Sequence, residues 1–385
     1  MPTSSASRSP LRVLFAAGGT GGHVYPALAI ADALRALRPD AEVTFAGTAG
    51  RLEAEAVPKA GYRFLPVTAV ALPRRLSKDL LRVPLLLGQG LWEARGVVRR
   101  ARPHVAVGTG GYVTGPVLTA ARLAGVPVVL QEQNAFAGVT NRLLGRFAAE
   151  IHVAFEEAVA AFPTGKTVLS GNPVRAALTE ASRAEGRAFF GVPEGVPLLV
   201  VTGGSLGAQR LNEAVLAQVP EMLGTDGHAV WITGPRYLAR TQLGLSSLGD
   251  VAERVRLVSY CDRMALAYAA ADLFLCRAGA ITLAELALTG TPAVLVPSPN
   301  VAEDHQTHNA RAMERPGAAV LLPEADLDTR LAATVHGLLH DPARLARMAD
   351  AARTLARPDA AESIARRVVE IAGGRRPRAG GRRQT

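Results

Sequence analysis

One pattern constrains this chain more than any other. A short apolar run, a glycine-rich turn and a helical repeat follow one another, and the series occurs twice. Residues 13–17 lead into Gly18-Gly19-Thr20-Gly21-Gly22 and a helical pattern over 26–37; residues 198–202 lead into Gly203-Gly204-Ser205-Leu206-Gly207 and a second one. Further apolar runs lie at 42–46, 105–107, 126–130 and 151–153, then at 229–233, 255–258, 272–276 and 293–296. They are continuous rather than alternating, as strands buried on both faces of a parallel sheet are, and helical segments such as 281–288 supply the crossovers. The expected fold class is therefore α/β: two Rossmann-like, doubly wound domains facing each other across a cleft. Pro163, Gly165, Gly171 and Pro173 interrupt the patterns and mark the linker. The expected domains are 11–165 and 166–357, with the helical stretch 359–372 a candidate to pack back on the first and 373–385 a disordered basic tail.

A chain of 385 residues, 49% of them hydrophobic, has room for two such cores. Its two cysteines, Cys261 and Cys276, are too few for a disulfide framework or a multi-cysteine metal site, which points to a reducing cytosol. The net charge is +10, and Arg375, Arg376, Arg378, Arg382 and Arg383 in the tail make up half of it. That balance permits nucleic acid or an anionic membrane as a partner. The longest uncharged stretch, 103–121, is broken by four glycines and reads as strand, loop and helix rather than a membrane span. The run at 13–17 is too short for a secretory signal. The expected location is cytoplasmic, with any membrane contact peripheral.

A glycine-rich turn entering a helix offers free N–H groups and a positive dipole end, which favour phosphate. Gly108-Thr109-Gly110-Gly111 is a third such turn. None carries a nucleotide fingerprint. Val24 and Val113 stand where a dinucleotide motif needs glycine, and Ala160 stands where a P-loop ending in Gly165-Lys166-Thr167 needs one. Asp326-Leu327-Asp328 could suggest a metal diphosphate, but acids at a helix start are favoured by the dipole, and no His or Cys ligands lie nearby. That pair is read as structural, and neither metal nor cofactor is expected.

Gly18-Gly19-Thr20-Gly21-Gly22-His23-Val24-Tyr25-Pro26-Ala27 resembles the opening of the MurG-type peptidoglycan glycosyltransferases. The resemblance continues through Gly108-Thr109-Gly110-Gly111-Tyr112, Gln131-Glu132-Gln133-Asn134, Gly171-Asn172-Pro173-Val174-Arg175 and Gly203-Gly204-Ser205. It ends with the segment 277–285 and His305-Gln306…Asn309-Ala310, all in order from residue 11 to about 320. It implies the GT-B fold. It also implies inverting transfer of N-acetylglucosamine from UDP-N-acetylglucosamine to the 4-hydroxyl of the N-acetylmuramoyl unit of lipid I, giving lipid II. A UDP-sugar lipid glycosyltransferase, a UDP-N-acetylglucosamine epimerase and a non-catalytic nucleotide-sugar binder remain as alternatives.

The resemblance implies roles residue by residue. His23 is a candidate general base, since imidazole titrates near neutral pH; the competing role is phosphate binding at a helix start. Thr20 and the amides of Gly21, Gly22, Gly110 and Gly111 would hold the acceptor pyrophosphate. Asn134 would position the acceptor, or else serve only as an Asx-turn residue. On the donor side, Gly204 and Ser205 would bind the phosphates, Arg175 the nucleotide, the backbone at Cys261 the uracil, Glu285 the ribose, and Gln306 and Asn309 the sugar. Ala278 replaces a serine common in relatives, which removes any side-chain role there.

The implied partners are UDP-N-acetylglucosamine, lipid I and an anionic membrane surface, not nucleic acid. The segment 72–87 sets Arg74, Arg75, Lys78 and Arg82 among leucines, the composition of an interfacial anchor at the cytoplasmic face or of an ordinary core-facing helix with a basic outer side.

Overall fold

The computed structural model describes residues 10–69, 83–174 and 176–374. The chain divides into two compact units, Met1–Val174 with Asp359–Thr385, and Arg175–Pro358.

The first unit holds seven strands: β1 (Arg12–Ala17), β2 (Glu42–Gly47), β3 (Arg63–Pro66), β4 (Val105–Gly110), β5 (Val128–Glu132), β6 (Glu150–Val153) and β7 (Thr167–Leu169). They form one parallel sheet in the order β3-β2-β1-β4-β5-β6-β7. Alternation along β1 sends Leu14 and Ala16 into one core and Val13, Phe15 and Ala17 into another, so both sheet faces are covered. This accounts for the unbroken apolar run.

The second unit repeats the plan with β8 (Leu198–Thr202), β9 (His228–Ile232), β10 (Val255–Val258), β11 (Leu273–Cys276), β12 (Ala293–Leu295) and β13 (Ala319–Leu321), in the order β10-β9-β8-β11-β12-β13, all parallel. Leu198 and Val200 face one core, Leu199 and Val201 the other.

The sequence reading sets the domain boundary at 165/166, whereas the division falls at 174/175. The reason is β7, which pairs with β6 through Ile151↔Thr167 and carries 167–169 into the first sheet. The helix Ala360–Ala372 lies on the first unit, where Ile364, Ala365 and Val368 join Leu28, Ile30 and Val105 in one core. Arg367 pairs with both carboxylate oxygens of Glu150, at 2.9 and 2.6 Å.

Each sheet reverses its winding once, between β1 and β4 and between β8 and β11. In open parallel sheets ligands bind beyond the carboxyl ends of the strands at such a point. Two of the glycine turns occupy the first reversal and one the second.

Candidate functional site

At the first reversal, β1 ends at Ala17 and the helix Gly21–Leu37 begins, with Thr20 as N-cap and no acid in its first turn. The N-terminal amides are thus left without a carboxylate of their own helix. β4 falls out of register with β1 between Ala16 and Ala17, so that Ala16 pairs with Gly108 and Ala17 with Gly110. Thr109 is the extra residue, and its hydroxyl donates to the His23 carbonyl at 2.8 Å. A Cβ on Gly111 would sit 2.2 Å from the Gly18 carbonyl oxygen, and one on Gly110 would sit 2.6 Å from the His23 ring. Both glycines also have positive φ, 110° and 86°. They are required because the two turns touch backbone to backbone, whatever they bind.

The half-buried His23 ring is fixed by that packing. Its Nδ1 lies 3.2 Å from the Gly18 carbonyl oxygen and 3.2 Å from Thr20 Oγ1. A carbonyl only accepts, so the bond to Gly18 puts the proton on Nδ1. Nε2 then carries the lone pair of the neutral ring, beside Gly110.

Glu53 was not picked out by sequence. It is fully buried, and its carboxylate accepts from Gly19 N at 3.1 Å and Thr48 N at 3.0 Å. It therefore occupies the Gly19 amide and braces the first turn from beneath. A Cβ on Gly18 would lie 2.5 Å from its Oε1, so Gly18 is glycine to make room for it.

Glu132 plays a similar part after β5. Its Oε1 accepts from Asn134 N and Nδ2, and its Oε2 from Gly138 N and from Asn141 Nδ2 at 2.9 Å. Asn134 is half-buried and its Nδ2 donates to this carboxylate at 3.2 Å. Buried amides of Gln131, Gln133 and Asn172 link the ends of β4 and β5 to the segment after β7. That accounts for Asn172 in its motif. Arg175 lies outside the described residues.

At the second reversal, Gly207 has φ 75°, and a Cβ there would lie 2.2 Å from the Thr233 carbonyl oxygen. The 203–207 turn thus rests on the end of β9. Gly204 N donates to Thr202 Oγ1 at 3.2 Å and Gly207 N to Gly204 O at 2.9 Å, so two of the expected phosphate amides are engaged within the turn. Ser205 and Leu206 project into solvent.

A cavity of about 550 Å³ opens beside this turn, lined by Gly203, Arg210, Arg277, Ser298, Gln306 and Glu324 among others. Gln306 Oε1 accepts from Ser298 N at 2.8 Å, which turns its NH₂ the other way as a donor. Just before it, Glu303 and Asp304 hold φ of 54° and 48°, a strained entry to the helix His305–Glu314 of about 1–3 kcal/mol per residue. Arg277, only 12% exposed, pairs with Glu324 and donates to Val296 O and Pro297 O. It is a buried cation on the cavity wall that the motif contains but the sequence reading left without a role.

Asn309 does not line this cavity. It is fully buried and its Nδ2 donates to the Ala278 carbonyl at 3.2 Å, tying the helix His305–Glu314 to the loop after β11. Glu285 and Cys261 also lie off the lining. Glu285 is half-buried on the helix Ala280–Thr289 and accepts from the Tyr268 hydroxyl at 2.7 Å, a partner 17 residues earlier that spacing does not reveal. Burial, then the Glu285 charge, push the Tyr268 phenol well above its ordinary pKa, so it stays a donor. Burial likewise raises the Cys261 thiol and takes Cys276 to about 12, leaving both neutral. Asp326 pairs with Arg330 and Asp328 with Arg210, and no cluster of three or more metal-ligating side chains occurs among the described residues.

Two doubly wound units, each with a glycine turn at its winding reversal, are the architecture of the GT-B fold. Two family models cover the chain: the glycosyltransferase family 28 N-terminal domain matches residues 13–153 and the C-terminal domain residues 198–364. The chain belongs to glycosyltransferase family 28. It is 54% identical over 95% of its length, and 98% of the relative's, to a Salinibacter ruber protein named UDP-N-acetylglucosamine--N-acetylmuramyl-(pentapeptide) pyrophosphoryl-undecaprenol N-acetylglucosamine transferase. A Symbiobacterium thermophilum protein of the same name is 46% identical over 94% of this chain and 96% of its own. Among solved structures, Acinetobacter baumannii MurG matches with a TM-score of 0.76 at 30% identity, covering 94% of this chain and all of that one.

Proposed function

We propose that this enzyme moves N-acetylglucosamine from UDP-N-acetylglucosamine to the 4-hydroxyl of the N-acetylmuramoyl unit of lipid I, giving lipid II and UDP. The observation that carries the reading is the near full-length match to relatives named for that transfer. In this reading His23 Nε2 takes the proton of the acceptor hydroxyl, while the Gly18 carbonyl holds Nδ1–H and so presents the correct tautomer. The acceptor oxygen bonds to the anomeric carbon from the face opposite UDP. The bond from that carbon to the β-phosphate oxygen breaks, and the electron pair leaves with UDP. The Thr20, Gly21 and Gly22 end of the helix supports the acceptor pyrophosphate through its dipole. In the second unit, the 203–207 turn, Arg277 and the Gln306 amide are the groups suited to the leaving diphosphate and the sugar, and Arg175 retains the nucleotide role its motif implies.

An undecaprenyl acceptor stays in the bilayer, so the enzyme works at the cytoplasmic face as a peripheral protein. No helix among the described residues is long and apolar enough to cross a membrane. Leu87 and Leu91 of the helix Val83–Ala101 line a cavity of about 360 Å³ with Tyr112 and Leu143, and Leu87, Tyr112 and Leu143 are exposed, a surface suited to lipid. Residues 72–82 of the basic segment lie outside the described residues. The direct test is incubation with UDP-N-acetylglucosamine and a short-chain lipid I analogue, followed by mass spectrometry. The expected product is the analogue plus one N-acetylhexosamine; an unchanged analogue with the donor consumed or epimerised would contradict the reading.

A further inference from the structure

The amino ends of the strands in the first unit carry a feature that the transfer reaction does not use. A cavity of about 520 Å³ is lined there by Arg12, Arg63, Arg99, Arg100 and Arg102, with Glu42 as its one carboxylate. The five arginines come from the start of β1, the start of β3 and the end of the helix Val83–Ala101 with the turn after it. The helix dipole alone favours cations at Arg99 and Arg100, but it says nothing of Arg12 and Arg63, which arrive from other elements. None of the five forms an ion pair among the described residues.

The hydrogen bonding around Arg12 is short of acceptors as well. Its backbone N–H points at His104 Nδ1 at 3.2 Å, and its Nη2 lies 3.0 Å from His104 Nε2. A neutral imidazole accepts at only one nitrogen, so one of these approaches sets a donor against a donor. Arg12 Nε takes the Arg102 carbonyl at 2.7 Å, and Arg102 holds φ of 43°, a strained value for a residue with a side chain. Burial and the Arg12 charge both push the His104 pKa down, so the ring does not relieve the positive charge by adding to it. Converging cations, surplus donors and a strained turn meet in one cavity.

We propose that this cavity is an anion-binding site for a small molecule or headgroup carrying two or more phosphate charges. Planar guanidinium forks match phosphate oxygens two at a time, and several charges within this volume call for phosphate rather than a lone carboxylate. The cavity has the size of an ordinary small-molecule site. It stands at the opposite end of β1 from the 18–22 turn, six residues or ~20 Å away, so it is not part of the acceptor pyrophosphate site.

The test is calorimetric titration with tripolyphosphate, UDP being present in excess to occupy the donor site. The wild type is compared with an Arg63→Ala/Arg100→Ala double variant. Both side chains are exposed, so an unchanged melting temperature is expected. The site predicts that tripolyphosphate binding weakens at least tenfold in the variant and fades with added salt. Flotation with cardiolipin, whose headgroup carries two phosphates, against phosphatidylcholine vesicles separates the sources. Loss of tripolyphosphate binding with cardiolipin flotation unchanged assigns a soluble phosphate, and loss of cardiolipin flotation assigns a headgroup. Equal behaviour of wild type and variant with both probes, or binding to neither, overturns the proposal.

Discussion

The turns at 18–22 and 203–207 share a grammar of strand, glycines and helix, yet the fold uses them in opposite ways. The first is packed tight. The 110–111 turn presses on it from one side, Glu53 braces it from beneath, and His23 is clamped between carbonyl and glycine. The second rests on the end of β9 through Gly207 but leaves its middle open, with Ser205 and Leu206 in solvent and a cavity alongside lined by Arg277, Gln306 and Glu324. A rigid, filled turn suits holding one catalytic group within a fraction of an ångström, and an open turn beside a polar cavity suits admitting and releasing a nucleotide sugar. In the proposed reading the same local motif serves chemistry in one unit and binding in the other, according to what distant residues place against it.

The largest effect expected from this contrast is at His23. Its replacement by Ala should lower kcat 10²–10⁴-fold at saturating acceptor, with UDP affinity unchanged, because the base is lost and the second unit is untouched. A raised acceptor KM with near-normal kcat would instead make His23 a phosphate ligand. Gly111→Ala comes next. The added methyl meets the Gly18 carbonyl at 2.2 Å and a positive φ, so destabilisation of about 2–5 kcal/mol is expected on chemical denaturation. Gly204→Ala faces open space despite its φ of 91° and should lose only about 1–2 kcal/mol. Gly207→Ala, whose methyl would meet the Thr233 carbonyl oxygen at 2.2 Å, should lose as much as Gly111→Ala, and equal losses at Gly111 and Gly204 would mean that the close backbone approach costs nothing.

A smaller effect is expected at Glu285. Glu285→Gln keeps an acceptor for the Tyr268 hydroxyl, so it should fold normally while UDP binding weakens by about 1.5–3 kcal/mol. Unchanged affinity would remove the ribose role. Asp326→Asn/Asp328→Asn should weaken two surface ion pairs by up to about 1 kcal/mol each, leaving single-turnover transfer intact in chelator. Chemistry that stops in chelator and returns with Mg²⁺ would revive the aspartates as ligands.

The smallest is a pH effect confined to the first unit. Burial by itself would raise the Glu150 pKa, but Arg367 and His152 outweigh it and hold the carboxylate at about 2. A depressed folded-state pKa adds stability above the ordinary carboxylate value, and that stability is lost as pH falls through the folded one. The stability gap between wild type and Glu150→Gln should therefore close as pH drops from about 5 to about 2. A gap independent of pH would mean that packing, not the ion pair, holds the helix Ala360–Ala372.

The buried centre of each sheet was legible in the sequence, as was the edge strand β10 at 255–258, and the other three edges were not. Strands β1, β8 and β11 carry unbroken apolar runs at 13–17, 198–201 and 273–276 because both faces are covered. Strands β3, β7 and β13 are three or four residues long and partly exposed at sheet edges, too short to stand out as strands from the segments around them. The same holds for the candidate sites. Glycines and His23 carry a local pattern, whereas Glu53 under the first turn, Tyr268 behind Glu285 and Glu324 against Arg277 are long-range pairings that leave no spacing to read. Asn309 shows the reverse case, since its motif position suggests a sugar contact but the fold spends its amide on the Ala278 carbonyl.

The central claim is a division of labour, with acceptor chemistry on the first unit and donor binding on the second. Release of UDP from UDP-N-acetylglucosamine, followed with and without a lipid I analogue in wild type and His23→Ala, tests it most directly. The account predicts release only when the acceptor is present, almost abolished in His23→Ala, with both proteins binding UDP equally. Acceptor-independent release, or full release in His23→Ala, would contradict it.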